Sequence, residues 1–189
     1  MIYLYERNKT GICVNRVFGY DRIVEIPDTL NGFPVTELGA YIFSDHIDVS
    51  ELNKKKETGT YCTENGTEET PADDMPQAAG NQVEEICLPR FLRKIGRYAF
   101  YNCFKLRRLK FCGEMKDLGA GALTGCHKME QITVETDENG QSALRDFLTE
   151  LPETLRVDMK TDGELGRFWF PEFFEEGVEN TPARILENH

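Results

Sequence analysis

At 189 residues, with 22 Lys and Arg against 33 Asp and Glu, the chain carries a formal net charge of -11. That length can bury a substantial core in one domain or a capped repeat array. The charge argues against nucleic acid or an anionic membrane as partner, since both reward positive charge. No stretch approaches the roughly 18 apolar residues of a membrane span, and the start MIYLYERNKTG lacks the basic and apolar regions of a secretory leader, which points to the cytoplasm.

The first patterned segment is VEIPDTLNGFPVTELGAYIF, in which Val24 and Ile26 take strand positions and Leu38, Gly39, Ile42 and Phe43 take the positions of a turn. Residues 1–49 are therefore expected to hold an N-terminal cap and a first repeat. Asn31-Gly32-Phe33-Pro34 is a turn-forming cluster inside this segment. It accounts for a stretch that is five residues longer than its later counterpart: Pro27 to Leu38 spans eleven positions, Pro89 to Ile95 six.

Residues 50–82 contain no Phe, Trp, Ile or Val and carry seven acids against three lysines. A segment so poor in apolar side chains is expected to be an acidic polar insertion, a mobile loop between repeats.

Two regular repeats follow over 83–134. An offset of 23 aligns Val83 with Leu106 and Met129, Ile86 with Leu109 and Ile132, and Leu88 with Phe111 and Val134. It also aligns Ile95 with Leu118, Gly96 with Gly119, Ala99 with Ala122, Phe100 with Leu123, and Cys103 with Cys126. A period of about 20–29 residues with this apolar spacing predicts a leucine-rich repeat, each coil giving one short strand and one tight convex turn. The glycines are expected to permit that turn, the alanines to admit the neighbouring coil, and Phe100 to fill the interior. Cys103 and Cys126 are expected to be buried structural thiols, because parallel side chains do not converge as a disulfide requires.

Arg90, Arg93, Lys94, Arg97, Lys105, Arg107, Arg108 and Lys110 form a basic run over 90–110 with no acid. Repeat geometry scatters these residues over opposite faces, so the run is read as the solvated positions of one coil; polyanion binding is the alternative.

Beyond Val134 a further step of 23 places Leu155 and Val157 on a strand. Between the strands, Leu144, Phe147, Leu148 and Leu151 share one helical face that Ser142 can cap. Residues 135–160 are thus expected to form a terminal coil with a convex helix. Residues 161–189 include Phe168, Trp169, Phe170, Phe173 and Phe174, an aromatic density suited to a cap over the open end. The alternative is that this segment docks against a further part of a larger protein. A helix start at Thr181-Pro182 followed so soon by His189 suggests that the native chain continues.

The stretches IPDTLNGFPVTELG, LPRFLRKIGRYAFYNC and LGAGALTGC resemble the BspA-like leucine-rich repeat family, whose pattern is an IP or LP strand end, then IG, AF and Cys. The resemblance spans roughly residues 20–135 and departs at Leu123 and Ile42, where the family has Phe and Ala. The fold class expected is α/β: a leucine-rich repeat solenoid of right-handed coils with a C-terminal helical and aromatic cap. The resemblance implies protein interaction or adhesion at a bacterial surface, a location that competes with the cytoplasmic one. Because the family pattern is a packing pattern, it assigns no binding residue.

A non-enzymatic binding scaffold is therefore the functional expectation, with a protein or glycan partner. In such a repeat the residues between the apolar strand positions face outward. This puts Glu85, Arg108, Lys110, Gln131 and Thr133 on a candidate partner-binding face, with Glu25 and Cys87 beside them. No cofactor or catalytic set is expected. His46, His127 and His189 lie in no catalytic motif, and GAGALTG at 119–125 is repeat turn rather than a dinucleotide-binding loop. The cysteines at 13, 62, 87, 103, 112 and 126 include no CxxC, so no metal site is expected either.

Overall fold

The computed structural model describes residues 1–47, 49–112, 115–136, 156–161 and 164–169. Strands β1 (Ile2–Arg7) and β2 (Ile12–Phe18) open the chain, followed by β3 (Ile23–Glu25), β4 (Thr29–Leu30) and β5 (Phe33–Leu38). Helix α1 (Val49–Thr58) and β6 (Thr60–Thr63) come next, then β7 (Glu85–Cys87), β8 (Lys94–Ile95), β9 (Arg108–Cys112), β10 (Asp117–Leu118) and β11 (Gln131–Thr136). The last described strands are β12 (Arg156–Thr161) and β13 (Glu164–Trp169). One sheet runs β10-β8-β5-β2-β1-β6, with β4 attached to β5; the other runs β13-β12-β11-β9-β7-β3.

Each regular coil gives one strand to each sheet. In the second sheet, parallel pairing sets Ile86 beside Leu109 and Leu109 beside Ile132, one coil apart at each step. In the first, Ile95 pairs with Leu118. The 23-residue offset is thus the physical register of the stack. The two-residue strands β8 and β10 are an addition to the expected tight turn: the chain stays extended there long enough to bond both neighbours.

The first repeat sits in the same register across a longer gap. Val24 pairs with Ile86 and Leu38 with Ile95. The extra residues between Val24 and Leu38 form the hairpin β4–β5, turned at Asn31 and Gly32 with φ of 49° and 78°. Left-handed φ at both central residues is what an Asn-Gly hairpin turn requires.

At the other end the stack departs from the 23-residue step. Val157 pairs with Ile132, and Met159 with Val134, an offset of 25; the expected partner of Val157 was Val134. A slip of two residues preserves strand parity, so the alternation survives the correction. β13 then pairs antiparallel with β12, including Trp169 opposite Arg156. The expected convex helix around 142–151 and most of the aromatic tail lie outside the described residues, as does Leu155. Among the described residues the structure is mostly strand, and its helix, α1, lies in the insertion instead.

That insertion is not a structureless loop. β6 pairs antiparallel with β1, setting Cys62 opposite Tyr3, and Gln77 bridges to Phe18. Leu52, Cys62, Ala78 and Ala79 are buried. The composition argument failed because these few small or single apolar side chains fill gaps against an existing core, which needs no apolar face of their own. α1 follows the same logic: Lys55 Nζ donates to Asn15 Oδ1 at 2.9 Å and lies 3.7 Å from Glu6 Oε2.

The interior is continuous. Val24, Ile86, Leu109 and Ile132 form one buried row, Val83, Leu106 and Met129 another, and Phe43, Phe100 and Leu123 a third. The rings of Phe43 and Phe100 stack at 5.7 Å with planes 9° apart. Through the turn, Phe43 N–H donates to Ala99 O at 2.9 Å and Phe100 N–H to Ala122 O at 2.8 Å. Inter-coil bonds therefore satisfy the backbone where the sheets are interrupted.

Gly96 and Gly119 are required for a different reason than expected. Neither has positive φ; a Cβ on Gly96 would collide with the backbone of Gly39 and Ala40, and one on Gly119 with that of Gly96 and Arg97. These glycines set how closely coils approach. The left-handed positions of the turns are Tyr41, Tyr98 and Gly121, at φ of 58°, 53° and 66°, and then Asn102 and Gly125, at 56° and 86°; the rings of Tyr41 and Tyr98 stack at 5.3 Å.

Candidate partner-binding face

In β3 and β7 the central residue is buried and its neighbours face outward, so Glu25, Glu85 and Cys87 share the outer surface of the second sheet. Register extends this surface. Glu85, Arg108 and Gln131 form one row, and Glu25, Cys87, Lys110 and Thr133 the next. Strands lie about 4.8 Å apart and alternate residues about 7 Å apart, so the residues anticipated from sequence occupy one contiguous patch. Leu109 and Ile132 between them point into the core.

The patch is polar, and its charged side chains other than Glu25 are paired on the same face. Arg108 donates to Glu85 Oε2 at 2.7 Å, Lys110 Nζ lies 2.9 Å from Glu135 Oε1, and Gln131 Nε2 donates to Thr133 Oγ1 at 3.2 Å. Such a surface presents hydrogen-bond donors and acceptors of both signs to solvent.

The basic run is divided between faces. Lys94 lies on β8 in the first sheet, 3.5 Å from Asp117, whereas Arg108 and Lys110 face outward from the second. Arg90 contacts Asp28 at 3.6 Å, and its backbone N–H donates to Asp28 Oδ1 at 2.7 Å. Arg107 donates to Glu130 at 2.6 Å, which raises the guanidinium pKa and lowers that of the carboxyl. Five of the eight basic side chains thus have acidic partners among the described residues.

At the rim, Pro27 and Asp28 after β3, Leu88 and Arg90 after β7, and Glu64 and Asn65 after β6 enclose a groove of about 540 Å³ together with the ends of the strand rows. The insertion therefore contributes to the edge of the candidate face. Glu64, Glu135 and the Asp28–Arg90 pair were not singled out from sequence. Glu135 sits 25 residues after Lys110, off the 23-residue ladder, and Glu64 belongs to a segment that repeat alignment cannot place.

His46 Nδ1 lies 2.6 Å from Asp45 Oδ1, its ring edge-on to Tyr101 on the convex turn. Cys103 and Cys126 are free and buried, their Sγ atoms directed at Phe43 O (3.5 Å) and Phe100 O (3.2 Å) of the preceding coil. The contact with Cys126, and then burial, push the Cys103 thiol pKa up. Cys62, expected in an exposed loop, is buried as well. Among the described residues no cluster of three or more His, Cys, Asp or Glu is arranged to hold a metal ion, and no helix is long and apolar enough to cross a membrane.

Residues 79–147 match the family model of the BspA type leucine rich repeat region. Among solved structures, the chain is similar to a leucine-rich repeat protein of T. pallidum, with 16% identity and a TM-score of 0.42 over 84% of this chain and 62% of that one. It is also similar to a leucine-rich cell surface protein of Faecalibacterium prausnitzii, with 14% identity and a TM-score of 0.41 over 84% of this chain and 41% of that one. The chain spans less than two thirds of the length of either. No curated protein matches it.

Proposed function

We propose, on the premise that residues 79–147 are a BspA-type leucine-rich repeat region, that the chain is a non-enzymatic recognition scaffold whose protein partner docks on the outer face of the second sheet. The observation that carries this reading is the contiguous polar surface formed by Glu85, Arg108, Lys110, Gln131 and Thr133 on strands held in register. Its opposite side is core, so substitutions at the outward-facing strand positions change the surface while leaving the packing alone. That separation lets a repeat array hold a fixed shape and present a variable face.

The test compares two sets of variants for binding to a protein captured on the immobilised chain. Gln131→Arg with Thr133→Arg, or Arg108→Glu with Lys110→Glu, should abolish binding; Arg90→Glu, Arg93→Glu and Arg97→Glu together should weaken it little. Equal losses from all sets, with a steep fall as salt rises, would contradict the strand face and indicate polyanion binding, because neutralised phosphates release counterions. The internal pairing of the basic run favours the first outcome.

A further inference from the structure

We propose that the rim groove is a socket for an arginine or lysine side chain of the partner, with the insertion supplying one wall. This rests on the recognition reading above and adds to it the chemistry of one contact.

The groove holds six ionisable side chains of Asp, Glu, Arg and Lys, and four of them are already matched. Arg90 contacts Asp28, and Lys110 contacts Glu135 at 2.9 Å. Two carboxylates remain, Glu25 from β3 and Glu64 from the turn after β6, both exposed and neither within ion-pair distance of a cation among the described residues. They come from segments 39 residues apart in sequence. Both line the same groove, and beneath it the Tyr3 hydroxyl donates to the backbone carbonyl of Glu25 at 2.9 Å, which fixes this end of β3. Burial raises the pKa of that hydroxyl first, and the charges of both Glu64 and Glu25 raise it further.

An open groove with two unmatched carboxylates attracts a cation. Anions are disfavoured, because the local cations are engaged. Ile26, Pro27 and Leu88 supply an apolar wall for the methylene stem of a long basic side chain, while the charged head meets the two carboxylates. The volume suits one such side chain with its flanking peptide. A bare metal ion is a poor fit, because among the described residues no group of three or more His, Cys, Asp or Glu is arranged to hold one.

The position also says which partner contact is made. Glu25 stands in the same row as Cys87, Lys110 and Thr133, so a chain crossing the face along that row reaches the groove at its β3 end. The Glu64 turn is built to stay there: Thr63 N–H donates to Thr67 O at 2.8 Å, and Gly66 packs on the Asn31 side chain at the tip of the β4–β5 hairpin.

The experiment measures binding of a fluorescently labelled oligo-arginine peptide to the full chain. Glu25→Gln with Glu64→Gln is compared with Glu68→Gln and Glu69→Gln, which removes the same charge elsewhere in the insertion. The socket predicts a loss of about tenfold or more from the first pair, against less than about twofold from the second. Both variants should keep the wild-type melting temperature, since these side chains are exposed. Equal losses from the two pairs would overturn the proposal, as general acidity would then explain binding; so would no binding by the wild-type chain. If neither pair matters while Gln131→Arg with Thr133→Arg abolishes binding, the socket falls and the strand-face reading stands.

Discussion

Arg107 and Glu130 are joined by a 2.6 Å hydrogen bond between residues that the repeat makes equivalent, 23 positions apart. The relationship continues upstream. Arg22 lies 3.1 Å from Glu84, and backbone N–H groups of Glu84, Arg107 and Glu130 each donate to the preceding member of the row Arg22, Glu84, Arg107, Glu130. The charge at this position alternates along the stack. Glu37, Lys94 and Asp117 form a second alternating row in the first sheet. Identical coils would place like charges one strand apart, where they repel; alternation makes each coil prefer a neighbour of the other kind, and so opposes slipping by one repeat.

Reversing one member tests the alternation. Arg107→Glu places three acids in succession at 84, 107 and 130, and should lower the melting temperature in low salt, with partial recovery in high salt, where screening weakens repulsion. Adding Glu130→Arg to that variant should restore part of the loss. A double variant no more stable than Arg107→Glu would show that the row is coincidental.

The same pair gives a pH dependence. The Glu130 carboxyl is held below its ordinary value of 4.5, first by the hydrogen bond from Arg107. A depressed folded-state pKa contributes stability above the unfolded pKa and loses it as pH falls through the folded one. Thermal unfolding of the wild type and Glu130→Gln should therefore differ near neutral pH and converge progressively below about 4.5. Convergence already at neutral pH would contradict the contact.

Core register is tested at Leu109, which is fully enclosed between Ile86 and Ile132. Leu109→Ala should cost about 2–5 kcal/mol in denaturant unfolding, and Leu109→Asp should abolish cooperative folding by burying an unpaired charge. A soluble, cooperatively folding Leu109→Asp protein would mean that the strand faces the other way.

Deleting residues 53–80 should destabilise the protein, because it removes β6 from the edge of β1 and empties the sites of Cys62, Ala78 and Ala79. A fall in melting temperature of about 10 °C or more is expected, at about 2–4 °C per kcal/mol for a chain of this size. An unchanged melting temperature would restore the view of the segment as a dispensable loop.

Among the cysteines whose surroundings are described, Cys87 should be alkylated first, as it is half-exposed on the outer strand face. Cys13 should follow slowly, its pKa pushed up to about 11 by burial and then by Glu37. Cys62, Cys103 and Cys126 should be protected in the native protein. Mass mapping after brief alkylation reads the order, and early labelling of Cys62 would contradict the placement of β6.

The difference between what was legible in sequence and what was not follows repetition. Ile86, Leu109 and Ile132 could be aligned because each coil must bury the same side chain against its neighbour, and Glu85, Arg108 and Gln131 came with them by alternation. The Arg107–Glu130 pairing was equally legible, had the charges been laid on the same register as the apolar residues. The insertion was not, because α1 and β6 are ordered by single contacts such as Lys55 to Asn15 and Cys62 opposite Tyr3, which leave no period. Gly96 and Gly119 were identified correctly as constrained, but for the wrong reason: closeness of a neighbouring backbone leaves the same glycine in a sequence as a turn does.

The most direct measurement is hydrogen exchange of the chain with and without its captured partner. The account predicts added protection concentrated in Glu85–Cys87, Arg108–Cys112 and Gln131–Thr136, the strands of the outer face, with the convex turns at 96–103 and 119–126 unchanged. Protection confined to those turns, with the strands unaffected, would contradict it.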